Sequence, residues 1–422
     1  MRNERNYGSR LLARGIRVSN NTFETNMNNN DLIFGTSGCG KTGGYIVPML
    51  QDPAESMVVV DTKNNLVKMF SESLQKKGYN VHLIDFVNPK NSTCGYNPLA
   101  YLGQSTKKGF NVKDLRSLAQ VFMPEMSSDD PYWSSAARKY ITMLFCYVLV
   151  RLPKRQQNIK SVIQLHSNIC GDAKAVKEEL EHTFEELPAD KSSRDSFFES
   201  ICKQTFGLMS ADRTWSCVLD FAGTALSVYD VEEFQYVFSK KKTFDFSMLG
   251  REKTVVFLNI SDMDRAYDNL VNLFYMQLFQ RLEAEAAKNP DGRLQVPVRI
   301  IMDDFASGTV IDDFDKIISV IRSREISVSL IIQSLSQLDS LYGEGKARTI
   351  INNCDHLLYM GGNDKDTLEF IAYRVNKPAA QIGLKPRDKM YLLTTGEPAA
   401  LVDKIPPYST LEPQAEDGET GA

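Results

Sequence analysis

The sequence has few residues of the kinds that build metal centres and covalent cross-links. It contains only four histidines, far apart along the chain, and its seven cysteines include no Cys-x-x-Cys pair. The cysteines are Cys39, Cys94, Cys146, Cys170, Cys202, Cys217 and Cys354. An odd, dispersed set of cysteines argues against a disulfide framework or a zinc site and favours a reducing compartment. We therefore expect no metal site built by the chain alone.

The sequence also lacks an apolar segment long enough to cross a membrane. Its start, Met1–Arg5, is polar and leads into no signal-peptide core, and its longest apolar run extends only from Tyr140 to Val150. A spanning helix needs about 20 predominantly apolar residues. The run therefore predicts a buried helix, and we expect no part of this sequence to span a bilayer.

Neither sign of charge dominates the composition. The 49 basic and 53 acidic residues leave a net charge of −4 over 422 residues. Any contact with nucleic acid would then depend on local basic patches rather than on the field of the whole protein. Basic clusters occur at 151–155 (Arg151, Lys154, Arg155) and at Lys240–Lys242. Such clusters are also typical of ordinary solvated surfaces.

A complete phosphate-loop motif lies near the start of the chain. The apolar run Asp31–Phe34 predicts a buried strand, which leads into the pattern Gly-x-x-x-x-Gly-Lys-Thr. Glycines let the backbone wrap a polyphosphate closely, and the helix predicted from Thr42 to about Leu50 directs its positive end at the same phosphates. The sequence therefore predicts a nucleoside triphosphate site. Its residues are Gly35, Thr36, Ser37, Gly38, Cys39, Gly40, Lys41 and Thr42.

Three side chains of this loop have predicted roles. Lys41 reaches the β- and γ-phosphates of ATP, and the hydroxyl of Thr42 binds the accompanying Mg²⁺. Cys39 lies among backbone amides at the start of a helix, an environment that lowers the pKa of a thiol. We therefore expect Cys39 to react readily with alkylating reagents and to be protected by ATP.

Strands and helices alternate on both sides of a long helical stretch. Apolar, often β-branched runs predict further strands, and helical patterns lie between several of them. The strands are predicted at 57–61, 81–86, 254–259, 298–302, 326–333, 356–360 and 390–393. This alternation is typical of the α/β class with a mostly parallel, doubly wound sheet.

The predicted organisation is a discontinuous domain with an insertion. Residues 31–104 and 243–405 form the nucleotide-binding domain, and 105–242, with helical periodicity and almost no strand pattern, form an all-α insertion. We expect residues 1–30 to be an irregular lead-in and residues 406–422 to be a flexible tail.

An acidic pair follows the strand predicted at 298–302. Asp303 would hold Mg²⁺, and Asp304 would orient the attacking water. A strand that ends in two aspartates is common in proteins, and it is the phosphate loop upstream that gives this pair its catalytic interpretation. A polar amide, Gln333, ends the strand predicted at 326–333.

Several short motifs occur in a characteristic order along the chain. They are Gly35–Thr42, Asp61-Thr62-Lys63, Tyr96-Asn97-Pro98-Leu99, Asp303-Asp304-Phe305-Ala306, Ile321–Ser327, Gln333-Ser334-x-Ser336-Gln337-Leu338, Asn353-Cys354-Asp355 and Gly361-Gly362. Together they resemble the conjugative coupling ATPases of type IV secretion systems, in the Gram-positive branch of the VirD4/TraG group. The resemblance extends from about residue 6 to residue 405, and it is most specific over 300–362.

The resemblance implies a RecA-like P-loop NTPase domain interrupted by an all-α domain, in a homo-hexameric ring. ATP would bind between neighbouring subunits, and single-stranded DNA would pass through the centre. By matching position, Arg322 would reach a neighbour's γ-phosphate, with Arg324 as a second candidate, and Gln333 would sense the phosphate. The alternative is that these arginines pair with the nearby carboxylates Asp312, Asp313 or Asp315.

The sequence departs from the family pattern at three places. About thirty residues precede the phosphate loop, where family members usually have two membrane-spanning helices. Asp304 stands where the family often has the longer Glu, and Thr62 stands where Pro is usual. The first departure bears on membrane attachment, which we expect through partners such as a separate small membrane protein. The second bears on the rate of hydrolysis.

Three functions are compatible with these residues. The first is a cytoplasmic ATPase, at the inner face of the membrane, that feeds relaxase-bound single-stranded DNA to the type IV secretion channel. The second is a nucleotide-gated adaptor that recruits protein cargo with little hydrolysis. The third is a helicase or packaging ATPase of the same fold, which the motifs of 300–362 disfavour. DNA-stimulated turnover distinguishes the motor from the adaptor.

Overall fold

The computed structural model describes residues 7–102, 110–124, 131–185, 193–261, 267–305 and 310–409, and within these the chain divides into two compact units. The first unit draws on Met1–Leu83, Phe246–Ile260 and Phe279–Ala422, and the second on Ile84–Asp245 and Ser261–Leu278. The second unit thus begins ahead of the insertion predicted at 105. The reason is local packing: within this unit the hydroxyl of Tyr96 donates to Gln277 at 2.8 Å.

The first unit is built on a mostly parallel sheet of nine strands, in the order β11-β10-β9-β3-β8-β7-β4-β6-β5, beside a separate two-stranded hairpin of β1 and β2. The strands are β1 (Ser9–Ala13), β2 (Ile16–Ser19), β3 (Asp31–Gly35), β4 (Ser56–Val60), β5 (Asn80–Asp85), β6 (Thr254–Asn259), β7 (Val298–Met302), β8 (Ile326–Ile332), β9 (His356–Gly361), β10 (Lys389–Thr394) and β11 (Ala400–Asp403). The α/β class is confirmed.

The central strands are parallel and buried along their whole length. β3 pairs with β8 and β9, and β4 pairs with β6 and β7, all in parallel register. Their runs of Val, Ile and Leu are those of strands covered on both faces. At one edge β10 is antiparallel to β9, and β11, which the sequence did not predict, is antiparallel to β10.

The start of the chain is more regular than predicted. The prediction of an irregular lead-in over 1–30 is wrong for residues 9–25, which form the β1–β2 hairpin and a short helix. The hairpin is ordered because it contributes to the core: Leu12 and Ala13 are fully buried. Residues 1–6 lie outside the described part of the chain.

The described helices lie between the strands of the sheet and along the insertion segment. They are α1 (Thr22–Thr25), α2 (Val47–Gln51), α3 (Leu66–Lys76), α4 (Val112–Phe122), α5 (Pro131–Arg151), α6 (Ile159–Gly171), α7 (Ala173–Glu185), α8 (Ser193–Met209), α9 (Asp212–Ser227), α10 (Glu232–Ser239), α11 (Asp268–Ala286), α12 (Phe314–Val320), α13 (Leu335–Tyr342), α14 (Glu344–Asn352), α15 (Lys365–Val375) and α16 (Ala379–Gly383). Shorter turns of 3₁₀ helix occur at Pro89–Asn91, Pro98–Tyr101, Lys154–Gln156, Phe246–Gly250 and Ile321–Arg324.

The second unit is helical throughout its insertion segment as far as it is described. Helix α5 carries the longest apolar run, and its residues Tyr140, Leu144 and Phe145 are completely buried, as predicted for a core helix. Among the described helices, none combines the length and hydrophobicity that crossing a bilayer requires.

Candidate nucleotide-binding site

The phosphate loop leaves the carboxyl end of β3, the strand between β8 and β9. Its conformation explains two of its glycines, because Gly38 (φ +78°) and Gly40 (φ +96°) have left-handed backbones that strain most other residues. Thr36, Ser37 and Gly38 are exposed at this edge of the sheet. Parallel α/β sheets bind ligands at this edge.

The requirement for glycine at position 35 is explained by the side chains packed beneath it. A Cβ at this position would lie 2.3 Å from Cys39 Sγ and 3.2 Å from the Lys41 side chain. Lys41 therefore passes close under the loop, where its Nζ donates to the carbonyl of Gly35 at 2.9 Å.

The residues after the loop continue directly into a helix whose first part is a π-helix over Thr42–Ile46, followed by α2. Gly43 and Gly44, at its start, are buried. The helix predicted over Thr42 to about Leu50 is thus present, with wider initial turns than an α-helix.

The acidic pair lies beside the loop at the end of β7. Asp303 Oδ2 is 3.5 Å from the hydroxyl of Thr42. Burial, together with the neighbouring charge of Asp304, raises the pKa of Asp303 above its ordinary value. A partly buried carboxylate next to another carboxylate and a hydroxyl is a donor set that suits a hard divalent cation such as Mg²⁺.

Asp304 contacts both Lys41 and Gln333. Its Oδ1 is 3.5 Å from Lys41 Nζ and accepts a hydrogen bond from Gln333 Nε2 at 3.4 Å. Its backbone is left-handed, with φ +50°. The structure thus brings Lys41, Thr42, Asp303, Asp304 and Gln333 together at the ends of three adjacent strands. The next motif residue, Ala306, lies outside the described part of the chain.

Arg322 is not brought to this site within one chain. It precedes β8, whereas Gln333 follows it, and this strand of seven residues separates them by roughly 20 Å. Its guanidinium donates to the carbonyl of Thr22 at 3.3 Å, and Arg324 lies 4.0 Å from Glu283. Among the described residues, both arginines thus have local partners other than the aspartates that the alternative interpretation names.

The prediction of a lowered pKa at Cys39 is wrong. Its sulfur lies close to Gly35, where a Cβ would meet it at 2.3 Å, and its side chain packs against the hydrophobic core of the sheet. Burial raises the pKa of its thiol, which outweighs the opposing effect of Lys404 and Lys41. Burial in apolar surroundings therefore decides the pKa of this thiol, although it lies near the start of a helix.

The chain matches a known family over most of its length. The sequence profile described as "Type IV secretory system Conjugative DNA transfer" matches residues 3–382. The chain belongs to this family. The resemblance inferred from the motifs is thereby confirmed.

A curated relative of this family member is distant in sequence. Protein VirD4 of Rhizobium rhizogenes is 19% identical over 347 residues, which are 82% of this chain and 49% of VirD4. The chain thus spans about half the length of this curated relative.

Solved structures of coupling proteins share its fold. The bacterial conjugative coupling protein TrwBdeltaN70 in complex with sulphate has a TM-score of 0.61 at 16% identity, covering 89% of this chain and 85% of that one. Plasmid coupling protein TrwB in complex with ADP and Mg2+ gives 0.60 at 15% identity, with coverages of 90% and 85%. VirB4 of Thermoanaerobacter pseudethanolicus has a TM-score of 0.56 at 12% identity, covering 90% of this chain and 91% of that one. Identities this low show the fold alone, and it is the predicted RecA-like one.

Two family motifs have structural roles in this member of the conjugative DNA transfer family. Asn97 accepts from the amide of Leu99 at 3.2 Å and so caps a 3₁₀ turn. In the first unit, the carbonyl of Asn353 accepts from Asn30 at 2.8 Å, and Asp355 accepts from the amide of Asn28 at 2.6 Å. The contacts of Asn353 and Asp355 fix the chain just before β3, and therefore fix the position from which the phosphate loop starts.

A buried charge network at the opposite end of β3 was not predicted. Arg10 donates to both carboxylate oxygens of Asp31, at 2.9 and 2.8 Å, and Arg299 lies 3.2 Å from the same group and pairs with Glu55. Tyr45 places its hydroxyl 2.7 Å from Asp31. Burial alone would raise the pKa of Asp31, but the charges of Arg10 and Arg299 hold it below its ordinary value. The network ties the hairpin and the post-loop helix to the central strand.

Two lysines near the loop were also missed. Lys404 Nζ donates to the carbonyl of Cys39 at 3.3 Å, and Lys385 Nζ donates to the carbonyls of Met360 and Lys389 at 2.7 and 2.9 Å. Burial and the charge of Lys404 lower the pKa of Lys385 to about 8. No sequence pattern reveals them, because both come from the far end of the chain.

Proposed function

We propose that this protein is an ATP-driven coupling protein that recruits relaxase-bound single-stranded DNA and translocates it to a type IV secretion channel. The observation that supports this most is the convergence of Lys41, Thr42, Asp303, Asp304 and Gln333 beside a complete phosphate loop. Membership of the conjugative DNA transfer family supports DNA as the class of substrate.

In this proposal the loop residues 35–42 bind ATP, and Thr42 and Asp303 hold its Mg²⁺. The fit is supported by the partly buried position of Asp303 beside the Thr42 hydroxyl and by its raised pKa, since a cation would relieve the repulsion from Asp304. Mg²⁺ supplies neutralisation of charge on the β- and γ-phosphates. TrwB, a structural neighbour, has been solved with ADP and Mg2+.

The catalytic assignments follow from the contacts of Asp304. Asp304 accepts the proton of the attacking water or orients it, Gln333 senses the γ-phosphate, and Lys41 stabilises the charge of the transferred group. Arg322 acts on the site of a neighbouring subunit, because within its own chain it lies at the far end of β8.

DNA, the relaxase and the channel components are proposed partners by family. In a homo-hexameric ring the DNA would pass through the centre, and exposed basic residues such as Lys154, Arg155, Lys241 and Lys242 would supply phosphate contacts. Attachment at the inner face of the membrane would come from partners, including a small membrane protein.

The second candidate is a nucleotide-gated adaptor that recruits protein cargo with little hydrolysis. It is favoured by the position of Asp304. The short side chain of this residue and its contact with Lys41 would keep the carboxylate away from an incoming water.

The rate of ATP hydrolysis with and without single-stranded DNA decides between them. A motor predicts a rate that rises several-fold with saturating DNA and a matched Asp303→Ala protein that stays inactive in both conditions. Binding of ATP with a slow rate that DNA leaves unchanged would contradict the motor and favour the adaptor.

A further inference from the structure

Two glycines that the phosphate-loop motif does not require lie directly behind it. A Cβ at Gly43 would come within 2.9 Å of both the Pro407 ring and Tyr408 Cε2, and a Cβ at Gly44 would lie 2.7 Å from the carbonyl oxygen of Ile405. Contacts this short do not occur at real side chains, so these two positions match the shape of the segment after β11. We call that segment, Lys404–Ser409, the C-terminal strap.

The strap is fixed to the start of the post-loop helix rather than frayed. The amide of Tyr408 donates to the carbonyl of Gly43 at 3.0 Å, and Lys404 Nζ donates to the carbonyl of Cys39 at 3.3 Å. Ile405 is buried. The prediction of a flexible tail from 406 onward is therefore wrong for 406–409, and residues 410–422 lie outside the described part of the chain.

Tyr408 adopts an unfavourable backbone conformation within this strap. Its φ of +61° is left-handed, a region that is unfavourable for a bulky residue and that Gly or Asn adopts more easily. Strain of this kind is typically retained where the side chain has a task. The ring contacts Gly43 on one side, yet the residue is 47% exposed. It therefore presents aromatic surface beside the loop.

The direction in which a nucleotide would lie along the loop puts its base on the side of the C-terminal strap. Lys41, Thr42 and the acidic pair mark the γ-phosphate and Mg²⁺ end, because the loop lysine reaches the β- and γ-phosphates while the loop amides hold the α- and β-phosphates. The ribose and base extend away from the acidic pair. The strap covers the loop at Gly40, where Pro407 would meet a Cβ at 3.1 Å, and at Gly43.

We propose that Tyr408 is a stacking platform for the base of the nucleotide, and that the C-terminal strap is therefore part of the ATP site. The inference rests on the proposed nucleotide-binding function. An aromatic ring beside a purine contributes affinity through its π-face whatever the identity of the base. Phosphate binding itself needs nothing from this ring.

The test compares Mg-ATP with Mg-tripolyphosphate, which has the phosphates but no base, in equilibrium binding to the full chain. Tyr408→Asn removes the ring and suits a left-handed backbone, whereas Tyr408→Phe keeps the ring. We expect Tyr408→Asn to weaken ATP between about fivefold and a hundredfold and to leave tripolyphosphate unchanged, with Tyr408→Phe close to wild type for both. Tyr373→Ala removes another tyrosine, 89% exposed, and is the matched control that should change neither.

Two results would overturn the platform. One is unchanged ATP affinity in Tyr408→Asn, and the other is an equal loss for ATP and tripolyphosphate, which would make the strap a support for the loop. A wild-type protein that binds neither ligand would instead overturn the nucleotide site itself, so the two failures are distinguishable.

Discussion

Asp304→Asn is the substitution that isolates the chemical step from binding. Asn is the same size as Asp and shares its tolerance of positive φ, so the +50° backbone at this position should be preserved. The amide cannot accept a proton, and it loses the charge that faces Lys41 at 3.5 Å. The substitution therefore removes the proposed base and leaves the surrounding fold as it is.

The size of the effect follows from that role. A positioned general base contributes about 10²–10⁴-fold to a rate, so hydrolysis by Asp304→Asn should fall by that factor. ATP affinity should be kept or rise, because one negative charge is removed from beside the phosphates. Asp304→Glu tests whether the short side chain of Asp limits the rate of hydrolysis. Glu is less suited to a left-handed backbone, at a cost of about 1 kcal/mol. Its longer side chain must also displace the contacts with Lys41 and Gln333. We therefore expect Asp304→Glu to hydrolyse more slowly than wild type.

Single-turnover hydrolysis in the presence of DNA, with ATP binding measured in parallel, compares the three proteins. Wild-type rates in Asp304→Asn would refute the assignment of Asp304 as the catalytic carboxylate. A faster Asp304→Glu would show instead that this chain hydrolyses slowly because its carboxylate is short.

Three other predictions follow from the same contacts. Inactive Arg322→Ala and Lys41→Ala proteins, mixed under conditions where the rings exchange subunits, should recover ATPase activity; no recovery would favour a local role for Arg322. Because Cys39 is partly buried and burial raises the pKa of its thiol, an alkylating reagent should label the exposed Cys217 well before it, as peptide mapping would show, and faster labelling of Cys39 would contradict its burial. Asp31→Asn should lower the free energy of unfolding by about 3–5 kcal/mol in urea titrations at pH 7, because it strands buried arginine charge. The lowered pKa of Asp31 means that its contribution is present above about pH 4 and is lost as the pH falls further, so the wild-type and Asp31→Asn proteins should converge in acid; a constant difference would contradict this.

The part of the site that could be predicted is the part that local sequence determines. Gly38 and Gly40 fill positions whose left-handed backbone the loop requires, and the apolar run before Asp303 predicts a strand that ends at the ligand edge of a parallel sheet. Adjacent strands then carry these residues close together.

What could not be predicted depends on contacts between distant segments. Pro406-Pro407-Tyr408 has the composition of a linker, and only the packing against Gly43 places it beside the phosphate loop. Arg10 and Arg299 resemble surface residues in the sequence, yet they are buried because Asp31 compensates their charge. The pKa of the Cys39 thiol is likewise raised by burial against the core, which the motif does not reveal.

The measurement that tests the account most directly is ATP hydrolysis by the wild-type, Lys41→Ala and Asp303→Ala proteins with single-stranded DNA present. Both side chains lie in the candidate site, where they are proposed to handle phosphate or Mg²⁺ charge, so each variant should keep the wild-type fold by circular dichroism and thermal unfolding. The account predicts phosphate release by the wild type and essentially none by either variant. Wild-type turnover in a well-folded Lys41→Ala or Asp303→Ala protein would contradict it.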